Sequence, residues 1–318
     1  MRHFLLTSFF AALALSLSAQ TGAFQVNNSG FETWKDVNEP GDGWYSFVSA
    51  NTSGLGGFIG GMAKSSSKKN TVKTTGRTGN AVLLKSSSIF GTKANGNLTT
   101  GCINMGSSTP ANKANYNYTN RSGVNSCLFA GRPDSLVFYA KFKRGQGGND
   151  TYTGRCHAVL HGDIDYKDPH ETEENKAKYL IGETTIYSTV TDEWTRYAGA
   201  FTYTGTTAAK MYMLASFTTN ETPGASYNDE FSIDDVQFIY NSRLKSIAYK
   251  GAAVPVSAQV DLSTETYEPA ALVLAADGSG AIIDTTYNAE TCVLTVTVKG
   301  NDFSVSPDNV HSYQIQFG

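Results

Sequence analysis

Apolar and polar residues alternate with a period of two in segment after segment of this chain. Leu136, Phe138, Ala140 and Phe142 share one face of a run that reads as a strand. Met211, Met213, Ala215 and Phe217 do the same, and in 197–203 aromatic residues alternate with small ones. Ala81-Val82-Leu83-Leu84 is a short apolar run after a glycine-rich turn. Helical periodicity is nearly absent; one short helix is predicted from about Glu171 to Tyr179, just after Pro169. Many short strands separated by Gly, Asn, Ser and Thr predict an all-β protein built as a β-sandwich.

Composition changes along the chain. From about Ser49 to Gly123 it is loop-heavy, with five glycines between Gly54 and Gly61 and serine triplets at 65–67 and 86–88. Loops on a rigid sandwich often carry recognition, and they also serve as plain connections. After Phe238-Ile239-Tyr240 a short passage leads to Leu244–Tyr249, and new strands follow at 292–298 and 312–317. That places a small Ig-like β domain at 242–318 after a larger domain at 20–241. Residues 1–19 read as a signal peptide: a positive start, an apolar run from Phe4 to Leu17, and small residues before cleavage after Ala19. The run is too short for a spanning helix, which needs ~20 apolar residues. The protein is therefore expected to be exported, to the periplasm, the outer-membrane surface or the medium, with no membrane span.

Hydrophobic content of 40% supplies a core, and a net charge of -3 argues against a nucleic-acid partner. Cys102, Cys127, Cys156 and Cys292 lack CxxC spacing, so zinc and redox motifs are not indicated. In an exported chain Cys102 and Cys127 are open to pairing, and free buried thiols are the alternative.

Pyranose rings stack their apolar faces on aromatic side chains and hydrogen-bond through their hydroxyls. The chain has 12% aromatic residues, with 17 Tyr and 3 Trp. Trp44, Tyr45, Tyr116, Tyr118, Tyr152 and Tyr166 stand in polar or glycine-rich surroundings and are candidate sugar platforms, whereas Trp34 and Trp194 stand among strand-like residues and read as core. His157, His161 and Asp163 fall on one side of a strand. Two histidines and a carboxylate can ligate a metal, but the same residues suit the solvent face of an antiparallel strand, which is the reading taken here. Asp163 and Asp165, at the strand end, are candidate glycan-binding residues. No Glu-x-Asp-x-x-Glu strand motif and no G-x-S-x-G elbow occurs.

Two segments bracket the larger domain: Asn28-Ser29-Gly30-Phe31-Glu32 and Ile233-Asp234-Asp235-Val236. With 76–81 (GRTGNA), 96–101 (GNLTTG), 131–136 (GRPDSL) and Trp194, they make residues 25 to 240, about two-thirds of the chain, resemble the putative carbohydrate metabolism domain (PCMD) family of exported Bacteroidetes proteins. The resemblance implies a jelly roll like that of carbohydrate-binding modules. It also implies that opening and closing strands pair side by side, bringing Glu32 to Asp234 and Asp235. A calcium ion, which takes six to eight oxygens, is the expected cofactor there; the alternative is a solvated bulge. The family usually carries its Ig-like domain first, and here the small domain follows. The expected function is glycan binding without catalysis, in a polysaccharide-using bacterium, with glycan and other cell-surface proteins as partners. The rivals are a glycoside hydrolase or lyase with carboxylates that the sequence does not pair, and a structural or adhesive surface protein.

Overall fold

The computed structural model describes residues 22–89, 91–145 and 153–318. The signal peptide expected at 1–19 and the candidate platform Tyr152 lie outside the described residues.

The chain opens with a small hairpin, β1 (Trp34–Asp36) and β2 (Glu39–Pro40), and helix α1 (Gly57–Ser67). Two hairpins follow, β3 (Thr71–Thr75) with β4 (Asn80–Lys85) and β5 (Ser87–Ile89) with β6 (Thr92–Ala94). Next come β7 (Asn97–Thr99), β8 (Cys102–Met105), β9 (Asn115–Tyr118), β10 (Leu128–Phe129), the long β11 (Ser135–Lys143) and β12 (Arg155–His161). β13 (Lys167–Asp168) and helix α2 (Glu173–Tyr179) precede β14 (Leu180–Tyr187), β15 (Thr191–Ala200), β16 (Thr202–Tyr203), β17 (Met211–Thr218) and β18 (Glu230–Ile239).

Two antiparallel sheets form the main sandwich. One has the order β15-β11-β18-β4-β3; the other has the order β10-β17-β12-β14-β16, with β7 on the same edge of β17 as β10. Alternation buries one face of each strand. Leu136, Phe138, Ala140 and Phe142 of β11 are fully buried, opposite Met213, Ala215 and Phe217 of β17 and Ala158 and Leu160 of β12. Phe138 is the hub. Its ring meets Phe217 edge-on at 5.1 Å, stacks on Tyr197 at 5.7 Å and touches Phe231 at 6.4 Å. A third sheet, β13-β9-β8, lies outside this sandwich.

The remaining strands are β19 (Leu244–Tyr249), β20 (Ala252–Val254), β21 (Gln259–Leu262), β22 (Leu272–Ala276), β23 (Ile282–Asn288), β24 (Val293–Lys299) and β25 (Val310–Phe317). They make sheets β20-β19-β22 and β21-β25-β24-β23, closing on a core of their own around Leu294, Val296, Ile315 and Phe317. Asp134 ties this part to the first: its two carboxylate oxygens accept from Asn241 N and Ser279 N, each at 2.6 Å. All four cysteines are free thiols.

The fold is the expected all-β sandwich. Two local expectations fail. The 28–32 segment is not a strand but a string of turns with Asn28 and Phe31 at positive φ (49° and 54°). β4 covers that edge of β18 only at 230–233, and the opening segment takes up the part beyond without forming a strand. Val236 N donates to Ser29 O (2.9 Å), and the Gln25 amide accepts from Phe238 N through Oε1 (2.8 Å) and donates to Phe238 O through Nε2 (2.6 Å). The glycine-rich stretch, read as loop, folds as helix α1.

Phe138→Ala should lower unfolding free energy by about 3–5 kcal/mol, the cost of removing a buried aromatic ring. Urea unfolding followed by tryptophan fluorescence measures it.

Candidate functional site

Pleating decides what the six-stranded sheet shows on its outer face. Cys156, Ala158 and Leu160 of β12 enter the core, so Arg155, His157, Val159 and His161 point the other way. Register sets the neighbours of each. Arg155 stands in a row with Asn97, Thr218 and Tyr187; His157 stands with Thr99, Ser216 and Thr185.

One half of this face is covered. Val159, Leu214, Leu180 and Tyr166 form a small apolar cluster. His161 is wholly buried, stacked on Tyr166 (5.0 Å) and Tyr212 (5.8 Å). Its Nδ1 lies 2.8 Å from the Gly162 carbonyl and so carries the proton, leaving Nε2 to accept from Thr119 Oγ1 at 2.7 Å. Burial pushes its pKa down to about 4.

The other half is open. Around Arg155 lies a cleft of ≈ 430 Å³, between the sheet, the β8–β9 hairpin and helix α1. Its polar lining is dominated by amides, among them Asn97, Asn104, Asn117 and Asn220, with Glu221 and Tyr116. Asn97 Nδ2 donates to Asn117 Oδ1 (2.8 Å), and Asn117 Nδ2 donates to Ser216 Oγ (3.0 Å), which fixes these amides in place. The guanidinium of Arg155 reaches Glu221 at only 4.0 Å, and its buried Nε has no hydrogen-bond partner among the described residues.

Behind Arg155 lies a buried charge group. His157 Nδ1 is 2.8 Å from Asp168 Oδ1, and Nε2 is 3.2 Å from Glu183 Oε2. Burial opposes the charge on this imidazole, but Asp168 and then Glu183 outweigh it and raise its pKa to about 9. Burial likewise opposes ionisation of Asp168, and the His157 charge and hydrogen bond still hold its pKa below the usual carboxylate range. The hydrogen bond from His157 lowers that of Glu183 as well. Both carboxylates are therefore ionised at neutral pH.

The expected sugar residues land in different places. Trp44 is 1% exposed, packed on Phe31 (5.3 Å) and Phe217 (5.9 Å), with Nε1 donating to Asn27 O, so it is core and not a platform. The loop bearing it folds under the sandwich. Trp34 and Trp194, read as core, are half-buried beneath Lys73 and Lys141. Tyr166 is buried against His161 and is likewise no platform. Tyr45 is half-buried and lines a second depression, away from the cleft, with its hydroxyl on Val124 O. Asp163 and Asp165 sit near the surface, clamped by Arg121 at 2.9 Å each, and neither lines the cleft. His157 and His161 are not on a solvent face, because β13-β9-β8 and the 163–179 segment cover that half of the sheet. Asp163 is not in their company as a ligand.

Glu32, Asp234 and Asp235 do gather, at the turn between β3 and β4. Glu32 accepts from Asn80 N and Nδ2 (2.9 Å for the latter), and Asp234 accepts from Arg77 N (2.8 Å). Asp235, at φ 49° in a bulge of β18, pairs with the Arg77 guanidinium at 2.6 Å, and that guanidinium lies 3.7 Å over Tyr139. Burial, then the nearby Asp235 and Glu32 charges, raises the Asp234 pKa to about 6. A Cβ on Gly76 would sit 2.6 Å from both Asp234 Oδ2 and Asn80 O and 2.8 Å from Thr78 O, so oxygens crowd this turn. Among the described residues no group of three or more His, Cys, Asp or Glu side chains is placed to hold a metal ion.

No protein-family model and no curated protein matches the chain. Among solved structures, the chain is similar to a protein of Bacteroides thetaiotaomicron described as a putative glycoside hydrolase. They are 19% identical over 70% of this chain and 73% of that one, with a TM-score of 0.51. A protein of Bacteroides vulgatus described in the same words is 22% identical over 54% of this chain and 77% of that one, with a TM-score of 0.42. The first likeness is one of fold. Neither is named as a PCMD protein.

The cleft residues escape sequence reading. Arg155, Asn97 and Asn117 lie on separate strands and meet only through register. The signal present for them was the polar alternation Arg155, His157 within an apolar strand.

The buried imidazolium makes stability depend on pH. Its folded pKa of about 9 exceeds the unfolded value of ~6.5. The stabilisation is complete below pH ~6.5 and is lost as pH rises through about 9. Melting temperature should fall over that window in the wild type and fall less in His157→Gln. Equal slopes would show that His157 is not charged in the fold.

Proposed function

We propose that the protein is an exported, non-catalytic glycan-binding protein, with the Arg155 cleft as its sugar site and the C-terminal β domain as a spacer or docking element for other surface proteins. The observation that carries this reading is a concave surface of fixed amides around Arg155, which suits hydroxyl-rich ligands. Hydrolysis of a glycosidic bond needs one carboxyl held protonated and a second held ionised across the bond. Asp168 is buried and Glu183 shares its imidazolium, and both are ionised. A hydrolase or lyase is the second reading, favoured by the fold shared with the Bacteroides thetaiotaomicron protein.

Retention of the mature protein on polysaccharide-containing native gels tests the proposal. Arg155→Gln should weaken retention at least tenfold, since a hydrogen bond to a charged donor is worth ~1.5–3 kcal/mol, and Tyr116→Ala should weaken it as well. Release of reducing ends or unsaturated products would favour the second reading.

Calcium belongs to the same proposal. Glu32, one oxygen of Asp234 and the carbonyls of Thr78 and Asn80 would hold it, and the ion would fasten the N-terminal turns to β18 without chemistry. Asp235 stays with Arg77. EDTA should then lower the melting temperature, calcium should restore it, and Glu32→Ala should abolish the response. An EDTA-indifferent melting curve removes the ion and leaves Arg77 as the fastener.

A further inference from the structure

The cleft has unlike walls. Arg155 and Asn97 line it from the sheet and Asn117 from the β8–β9 hairpin, whereas Ile59 and Met62 line it from helix α1. Ile59 and Met62 belong to helix α1 and are 59% and 40% exposed. Aliphatic side chains of this kind do not stack on pyranose faces as aromatic rings do, and thioether chains adapt to flexible apolar groups. The charges that line the cleft are matched: Asp168 is paired with His157 behind it, and Arg155 faces Glu221. Charge complementarity therefore favours a ligand without net charge. The volume, ≈ 430 Å³, is that of a small-molecule site and holds a sugar ring with a short chain.

We propose that this cleft takes an uncharged saccharide bearing an aliphatic substituent, an acyl ester or an alkyl aglycone. The sugar oxygens meet Arg155 and the amides, and the chain lies along Ile59 and Met62. This rests on the reading of the cleft as a glycan site and names the class of glycan.

Calorimetric titration of the mature full chain with octyl and methyl β-glucoside and β-galactoside, all below their micelle concentrations, tests it. A fully buried methylene is worth about fourfold in affinity, so octyl glycosides should bind at least tenfold more tightly than their methyl counterparts. Ile59→Asp and Met62→Asp should each abolish that preference. Phe58→Asp, at an 81% exposed position outside the cleft, should keep it. Equal affinity for octyl and methyl forms, a preference untouched by both wall variants, or no binding of any of the four overturns the inference. Polysaccharide retention without an octyl preference leaves glycan binding standing and overturns only the aliphatic part. Octanol binding as tightly as octyl glucoside removes the sugar, and with it the glycan reading.

Discussion

Burying Cys156, Ala158 and Leu160 between the sheets forces Arg155, His157, Val159 and His161 onto the opposite face of β12. That face cannot all be left to solvent, nor all be closed. At one end the fold spends apolar residues, Tyr166, Leu180 and Leu214, to close over Val159 and His161. At the other it leaves Arg155 in a cleft. One strand's pleat thus couples the core, the covering sheet and the candidate site, and a one-residue slip of β12 would invert all three.

The charges follow from the same geometry. An imidazole almost out of water on the closed side would be neutral without partners, as His161 is. His157 differs because β13 brings Asp168 and β14 brings Glu183 to its two nitrogens. Removing His157 or Asp168, the two buried members, strands the other, which commonly costs about 3–5 kcal/mol, whereas Glu183 is 45% exposed and solvent screens its share. The group therefore fixes β13 against the main sheet more than it offers acid–base chemistry. Holding β13 also holds β9, and so places Asn117 and Tyr116 over the sheet as the cleft's far side.

Sequence reading succeeded where burial imposes a period. The alternations in β11, β17 and β24 and the helix after Pro169 all stand in the structure. It failed where tertiary contacts decide. Helix α1 has three glycines in eleven residues and no side-chain N-cap, so nothing local announces it. Gly60 sits where a Cβ would lie 2.8 Å from Thr52 side-chain atoms, so close packing on 52 selects the glycine there. Trp44 looked exposed because its sequence neighbours are polar, yet its loop carries it into the core beside Phe217. The metal residues drawn from the resemblance, Glu32, Asp234 and Asp235, gather at one turn, while the sugar residues read from their local surroundings, Tyr45, Asp163 and Asp165, stay away from the cleft.

That turn also explains why the opening segment matters without being a strand. β4 covers this edge of β18 only at 230–233, and residues 25–32 take up the rest through the Gln25 side chain and the backbone bond from Val236 N to Ser29 O. Asn28, Phe31 and Asp235 take up left-handed backbone to do so, a conformation that costs non-glycine residues about 1 kcal/mol or more apiece. The return is that Phe31 enters the core against Trp44 and Asp235 turns outward to Arg77. Arg77, flat on Tyr139 and paired with Asp235, supplies one positive charge to a corner holding three carboxylates. The raised pKa of Asp234 records its burial first and then the negative charge of Asp235 and Glu32 beside it. A second positive charge at this corner, a proton or a metal ion, would relieve it, and the two act oppositely on Asp234: protonation removes its charge, whereas a cation requires it.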